Sequence, residues 1–203
     1  MRIRSIVAPL LKWFAGNARD LPWRRTRDPY AIWISEIMLQ QTQVKTVIPY
    51  WRRWMEQLPD IASLAAADED TVIKLWEGLG YYSRARNLQK SARLLCEEMS
   101  GKFPHDIDGV LALPGVGRYT AGAICSIAYN QPEPLVDGNV ARVLMRLLGI
   151  EQPSKQKQVV EQLWSVTSDL VKHAVGIQGT SRRNAAAFNQ AMMELGALIC
   201  TPR

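Results

Sequence analysis

An all-α fold is predicted by three features of the 203-residue sequence. Apolar residues recur at three- and four-residue spacing along almost the whole chain. No segment of five or more residues alternates strictly between apolar and polar, so the hydrophobic period is that of a helix. Start and stop signals then divide the chain into about ten helices. Composition agrees, because 47% hydrophobic and 22% charged residues are globular proportions, unlike those of a disordered or collagen-like chain. At this length the chain makes one large domain or two small ones, with enough apolar surface to bury a core.

Local chemistry justifies each element in chain order. MRIRSIVAPLLKWFAG is basic and then apolar, but Pro9 and Lys12 break the run and no small-residue cleavage site follows, so it reads as an amphipathic helix and not a signal peptide. Asp28 as cap and Pro29 at the first helical position open DPYAIWISEIMLQQ. Pro49 is expected to kink or restart VKTVIPYWRRWMEQL. Leu58, Pro59 and Asp60 stop that segment and cap a short IASLAAA helix. DEDTVIKLWEGLG has acids at its start and Gly78 or Gly80 at its end, where a left-handed residue terminates a helix. SRARNLQKSARLLCEEMSG repeats the pattern, with Ser83 as cap and Gly101 as stop. DIDGVLAL runs into the turn Pro114-Gly115-Val116-Gly117 and then the small-residue helix RYTAGAICSIAYN. The prolines of NQPEPLVDGN force an extended connection before NVARVLMRLLG. SKQKQVVEQLWSVTSDLV, the loop GIQGTSRR and NAAAFNQAMMELGALIC complete the helices, with no internal repeat.

No stretch approaches 18 uninterrupted apolar residues, so no membrane association is expected. Three widely spaced cysteines, Cys96, Cys125 and Cys200, with no secretory context point to the reducing cytoplasm. Twenty-five Lys and Arg against nineteen Asp and Glu leave a net charge of +6 and a pI near 9.4, which suits a polyanionic partner as well as a merely basic cytosolic protein.

LPGVGRYTAGA is the first segment with a chemical message. Pro114 ends a helix, Gly115 and Gly117 permit unusual backbone angles, and a helix start presents N–H groups outward with Arg118 alongside. Amides and helix dipole together favour an anion such as a DNA phosphate, although a bare PGxG is also an ordinary tight turn. Ala121, Gly122 and Ala123 let the following helix pack closely, so the segment reads as a helix-hairpin-helix that grips the DNA backbone without reading sequence.

Two carboxylates stand in unlike surroundings. Glu36 lies in WISEIML among Ile32, Trp33, Ile37 and Leu39, where desolvation favours a protonated carboxyl that can act as a general acid. The alternative is a polar stripe of Ser35, Glu36 and Gln40. Asp137, in LVDGNVARVL, sits where a helix cap belongs. Helix N–H groups are expected to keep it ionised, so that it could stabilise positive charge on a sugar. One protonated and one ionised carboxyl is what glycosidic-bond hydrolysis requires, and only the fold can unite residues 101 positions apart.

The stretches LPWRRTRDPYAIWISEIMLQQTQVKTVIPYW, LWEGLGYYSRARNLQKSA, LPGVGRYTAGAI, VDGNVARVL and FNQAMMELGALIC run from Leu21 to Cys200. In that order they resemble the MutY family of adenine DNA glycosylases, in the helix-hairpin-helix superfamily that also contains endonuclease III. The resemblance implies two helical lobes with the active site in the cleft between them. Residues 29–130 would form a six-helix lobe carrying the hairpin, and 1–28 with 131–203 the other lobe, a remnant of the cluster domain. It implies double-stranded DNA with adenine mispaired with 8-oxoguanine or guanine as partner, a monomer, and nucleoid association in the cytoplasm.

By the same resemblance Glu36 is the acid that protonates adenine at N7, Asp137 stabilises the oxocarbenium ion, Asn139 supports the site and Tyr119 stands beside the reacting sugar. Trp23, Arg24, Leu39 and Gln190 resemble the pocket of the extruded base. Gln41 and Tyr81 resemble residues that wedge into the base stack, with Thr42, Arg84, Arg86 and the hairpin Pro114, Gly115, Val116, Gly117 and Arg118 as further DNA contacts. The basic runs Arg24-Arg25-Arg27, Arg52-Arg53, Arg84-Arg86 and Arg182-Arg183 would hold phosphates. Endonuclease III has a lysine at the position of Tyr119, whose amine forms a Schiff base and leads to strand cleavage. Tyrosine here implies a monofunctional glycosylase.

The family's 4Fe-4S cluster needs four cysteines, spaced C-x6-C-x2-C-x5-C, and Cys200 occupies the first position three residues before the end of the sequence. The expectation is that the cluster does not assemble in this chain and that the C-terminal 8-oxoguanine-recognition domain is absent, with weaker DNA binding and weaker discrimination between adenine opposite 8-oxoguanine and adenine opposite guanine. A cation held by the hairpin carbonyls is a further family feature. Two alternatives are a thymine glycosylase acting on T·G mismatches and a catalytically inactive DNA-binding module.

Overall fold

The computed structural model describes residues 3–178 and 183–202. Residues 179–182 of the GIQGTSRR loop, and with them Arg182 of the last basic pair, lie outside the described residues. All regular structure among the described residues is helical. Short 3-10 turns at Ile3–Ile6 and Pro22–Arg24 accompany α1 (Val7–Asn17), α2 (Pro29–Leu39), α3 (Val44–Gln57), α4 (Ile61–Ala66), α5 (Glu69–Trp76), α6 (Ser83–Met99), α7 (Ile107–Leu111), α8 (Arg118–Tyr129), α9 (Gly138–Leu148), α10 (Lys157–Val175) and α11 (Asn184–Leu198). The chain divides into two compact units: Asp20–Ile124, and a second built from the two ends, up to Arg19 and from Cys125 onward.

Helix α2 is the centre of the Asp20–Ile124 unit. Asp28 caps it by accepting from the amides of Tyr30 and Ala31, and Pro29 fits the first position because its missing N–H would have had no helical partner. Tyr30 through Met38 are all buried, so this helix is apolar nearly all round, as an interior helix must be. Trp54 and Trp76 stack edge to face at 5.6 Å, and the Trp54 indole donates to the Tyr30 hydroxyl, which donates to the Leu58 carbonyl. That chain of bonds satisfies the polar tips of Trp54 and Tyr30 and pins α3 beside α2, while the Trp54–Trp76 stack holds α5 on α3.

Three local expectations are corrected. Helix α3 neither restarts nor breaks at Pro49 but runs through it. Pro49 and Lys45 are exposed, so the carbonyl that the ring leaves without its helical donor meets water. Ser83 is the first residue of α6 and not its cap; Tyr82 precedes it without a capping side chain. Helix α2 ends at Leu39, two residues early, because Gln40 is extended and Gln41 turns left-handed at φ 58°.

The other unit packs α11 against α1, α9 and α10. Its buried small residues Ala185, Ala186, Ala191 and Gly196, spread around the helix, permit close approach on several sides. At its centre Glu194, 1% exposed, takes both side-chain N–H groups of Arg19, Nε and Nη2, at 2.8 Å and the Arg19 amide at 2.8 Å. A buried carboxylate held this fully is tolerated, whereas one stripped of its partner is not. Truncating Glu194 to Ala is expected to cost about 2–3 kcal/mol in urea unfolding, since Arg19 is left without its carboxylate. A loss below about 0.5 kcal/mol, typical of a surface pair, would contradict the role assigned to it.

Candidate active site and hairpin

The hairpin forms because α7 and α8 are joined by residues that leave the helical region at once. The Val116 amide donates to the Leu113 carbonyl at 3.1 Å, and Val116 is buried, anchoring the turn. Gly115, Gly117 and Arg118 are exposed, and Pro114 is half-buried with its carbonyl accepting from Ser91 Oγ. Gly115 takes φ 78°, and a Cβ there would come within 2.8 Å of Asn87 Cβ and 2.7 Å of its Nδ2. Both the left-handed backbone and the closeness of α6 demand glycine.

Two residues into α8, Tyr119 donates its hydroxyl to Glu36 Oε2 at 2.6 Å. Glu36 is 4% exposed and Ser35 fully buried, which excludes the solvated polar stripe. Gln40 reaches the same helix, its Nε2 donating to Thr120 Oγ1 at 3.4 Å. The acid that the sequence places on α2 and the tyrosine that it places after the hairpin are therefore one constellation, although 83 residues separate them.

Asp137 caps α9: its Oδ1 accepts from the Val140 amide at 2.7 Å and its Oδ2 from Asn139 Nδ2 at 2.9 Å. These bonds and the Arg142 charge favour the carboxylate, as expected, yet burial outweighs them and pushes the Asp137 carboxyl above its ordinary value. The sequence expectation that capping alone settles the charge is corrected by desolvation. Asn139 is itself held, its Oδ1 accepting from Arg142 Nη2, which also donates to the Gly196 carbonyl at 2.7 Å. A Cβ on Gly196 would stand 2.5 Å from Asn139 Cβ, so the glycine of α11 fixes the seat of the Asp137 partner. Arg142 and Gly196 escaped the sequence reading, because a helical arginine and a helical glycine carry no local signal of this kind.

Trp23 is buried against Trp51 at 6.0 Å, edge to face, and Arg24 and Leu39 are half-buried near it in sequence and at the end of α2. Gln190 lies half-buried on α11 and donates to the Ala186 carbonyl. Gln41 and Tyr81 are both exposed, Tyr81 at 63%, and both have positive φ, 58° and 48°. Non-glycine residues held there cost about 1 kcal/mol or more each, and such strain collects at working sites. Thr42 closes the turn beside Gln41, its amide donating to the Leu39 carbonyl at 3.3 Å.

The basic runs divide by what they already hold. Arg25 pairs with Asp20, and Arg86 with Glu69 at 2.8 Å, both at the surface, where a phosphate can exchange for the carboxylate at little cost. Arg53 donates to the Leu75 carbonyl and lies over the Tyr50 ring. Arg183 caps α8 by donating to the carbonyls of Ile127 and Ala128. The expectation that Arg84 contacts phosphate meets a guanidinium already committed to backbone carbonyls at 2.7–3.3 Å.

The residues present do not fit a four-iron cluster. Cys125 is buried in α8, Cys96 lies on α6, and Cys200 Sγ accepts from Arg146 Nη1 at 3.0 Å. Among the described residues no group of three or more His, Cys, Asp or Glu side chains could hold a metal. Nor, among the described residues, is any helix long and apolar enough to cross a membrane.

Residues 34–169 match the HhH-GPD superfamily base excision DNA repair protein model, and the chain belongs to that family. It is 48% identical to the adenine DNA glycosylase of Homo sapiens over 96% of this chain and 36% of that protein. With the adenine DNA glycosylase of Buchnera aphidicola subsp. Acyrthosiphon pisum (strain APS) it shares 43% identity over 94% of this chain and 52% of that one. The chain thus spans about half the length, or less, of these curated relatives. Among solved structures it is similar to a thermostable thymine-DNA glycosylase, with TM-score 0.84 and 29% identity over 98% of this chain and 88% of that one. A trapped endonuclease III–DNA covalent intermediate superposes with TM-score 0.75 and 25% identity, covering 100% and 88%.

The upward push on Asp137 has a measurable sign. A carboxyl held above its ordinary value near 3.8 binds its proton more tightly folded than unfolded, so it erodes stability as pH rises from that value through the raised one, and no further above it. Asp137→Asn removes this dependence. Melts from about pH 3 to pH 7 are expected to show the variant gaining on the parent protein through that window, by at most about 1.4 kcal/mol per pH unit. A difference that is flat, or that grows in the parent's favour, contradicts it.

Proposed function

We propose that the chain is a monofunctional DNA glycosylase that hydrolyses the N-glycosidic bond of adenine mispaired with 8-oxoguanine or guanine. The observation that carries the reading is the buried Glu36 carboxyl in hydrogen-bond contact with a tyrosine at the start of α8, where a lysine would make a strand-cleaving enzyme. The adenine-specific names of relatives at 43–48% identity support the choice of base. Glu36 gives its proton to adenine N7; the C1′–N9 bond then breaks with its electron pair leaving on the base. The cation left on the sugar is matched by the Asp137 carboxylate, whose buried charge lacks a full counter-charge until that moment. Water adds to C1′ and returns a proton to Glu36, leaving an abasic site and an unbroken strand.

The remaining residues take supporting parts. Tyr119 orients Glu36, and Asn139 orients Asp137. Trp23, Arg24, Leu39 and Gln190 receive the extruded base, while Gln41 and Tyr81 fill the gap that it leaves, with Thr42 beside them. Extrusion costs a few kcal/mol and least at a mispair, which favours the proposed substrate. Pro114 through Arg118 follow the phosphate backbone, with Arg86 and Arg25 free to trade their surface carboxylates for phosphates, and a cation on hairpin carbonyls would fit the same backbone grip. No step is assigned to an iron-sulfur cluster.

A second reading, thymine release from T·G mismatches, is favoured by the likeness to a thymine-DNA glycosylase structure. Single-turnover assays on duplexes carrying A·8-oxoguanine, A·G and T·G separate the two. The expected result is adenine release, no strand cut and no borohydride-trapped adduct. Changing Glu36 to Gln should slow release by about 10²–10⁴-fold with duplex binding unchanged. Thymine release, a trapped adduct, or full activity without the Glu36 carboxyl would each overturn the assignment.

A further inference from the structure

Arg84 stands in the first turn of α6 on the strongly basic stretch SRAR, where a phosphate contact is the obvious reading. Its bonds say otherwise. Nη1 donates to the carbonyls of Ile37 at 2.8 Å, Met38 at 3.3 Å and Gln40 at 2.7 Å, which end α2. Nη2 donates to those of Leu79 at 3.0 Å and Gly80 at 3.2 Å, in the turn before α6. The guanidinium plane is covered by Trp76 at 5.1 Å and Tyr81 at 5.6 Å, and burial works against its charge. One planar fork thus joins two segments 39 to 43 residues apart in sequence, through five carbonyls.

Each joined segment carries, at its next residue, an exposed side chain on left-handed backbone: Gln41 after Gln40, and Tyr81 after Gly80. Few bonds besides those of Arg84 hold the two turns, although the Gly80 carbonyl also accepts from the Trp76 indole at 3.0 Å. The bonds that close the first, from the Gln40 amide to the Ile37 carbonyl and from the Thr42 amide to the Leu39 carbonyl, are long at 3.4 and 3.3 Å. The second contains Gly80, at φ 69°, whose backbone is intrinsically loose.

We propose that Arg84 is a positioning residue that clips the end of α2 to the turn before α6, presenting Gln41 and Tyr81 to the DNA as one preformed wedge. The inference rests on the reading of those two side chains as wedge residues. A wedge ordered in advance loses less freedom when it enters the stack, so extrusion of the base is faster and more complete. Lysine cannot substitute, because a single ammonium has three donors in a tetrahedral array and cannot span both sets of carbonyls.

The test compares Arg84→Lys with the parent protein on a duplex carrying 2-aminopurine next to the mispaired adenine, reading extrusion by fluorescence, excision under single-turnover conditions at saturating enzyme, and affinity for undamaged duplex across a salt series. The clip requires that Arg84→Lys slow extrusion and excision together, by about tenfold or more, while the salt slope stays as it was. That loss should shrink to under about twofold when the substitution is made in a Gln41→Ala/Tyr81→Ala background. Arg84→Lys with parental extrusion, or an equal loss in the background without wedges, overturns the clip. So does a salt slope that falls by about one, seen with Arg84→Met, which would make Arg84 a phosphate ligand. Should Gln41→Ala/Tyr81→Ala by itself leave extrusion unchanged, the wedge reading fails, and the clip with it, in a way distinct from the previous outcomes. Amide exchange of the unsubstituted protein is independent of any variant's folding. The clip requires slow exchange at the bonded amides of Gln40, Thr42 and Leu79, and rapid exchange at all three contradicts it.

Discussion

A tyrosine hydroxyl 2.6 Å from a buried glutamate is the contact on which the arrangement turns. Tyr119 begins α8 immediately after the hairpin, and Glu36 belongs to the most deeply buried helix of its unit. The bond therefore ties the hairpin proposed to meet the DNA backbone to the carboxyl proposed to supply the proton. Its position is enforced from both sides. Glycine at 115 is required by the closeness of Asn87, and α2 is fixed by its Asp28 cap and by the indole and phenol bonds of Trp54 and Tyr30. General acid catalysis needs a donor within hydrogen-bond reach of its acceptor, and the Tyr119 bond together with the capped helix α2 restricts where the Glu36 carboxyl stands.

Asp137 illustrates a different use of burial. Its helix cap supplies an amide, Asn139 a further donor and Arg142 a nearby charge, but the carboxyl is still pushed upward because protein atoms have replaced its water. A carboxylate so situated is stabilised when a positive charge forms against it, which is when a glycosidic bond ionises. The cost is borne by the fold, through the tight seam of α9 against Gly196 and the buried Arg19–Glu194 pair that ties α1 to α11.

The helices and most of their ends were legible in the sequence, because caps such as Asp28, Asp60 and Asp137 and a stop such as Gly101 act through their immediate neighbours. Pro49 misled, since a proline on an exposed helix face loses its hydrogen bond to water and need not end the helix. Glu36 and Tyr119 were legible as chemistry but not as partners, which only the fold decides. Arginines were the least legible. Arg84, Arg86 and Arg183 look alike in a basic run, but one clips two turns, one forms a surface pair and one caps a helix. Charge patterning reports that a cation is present; the direction in which a flexible side chain points is a property of the fold. The sign of the Asp137 shift was missed for a related reason, because a cap is local and desolvation is not.

The most direct measurement of the central claim uses the substrate and leaves the protein intact. If a proton from Glu36 to adenine N7 drives bond cleavage, a duplex with 7-deazaadenine opposite 8-oxoguanine has nowhere to receive it. The expected result is binding comparable to that of the adenine duplex with no release of the base over many half-lives of adenine excision. Release of 7-deazaadenine at a rate near that of adenine would contradict acid catalysis at N7, and with it the role given to Glu36.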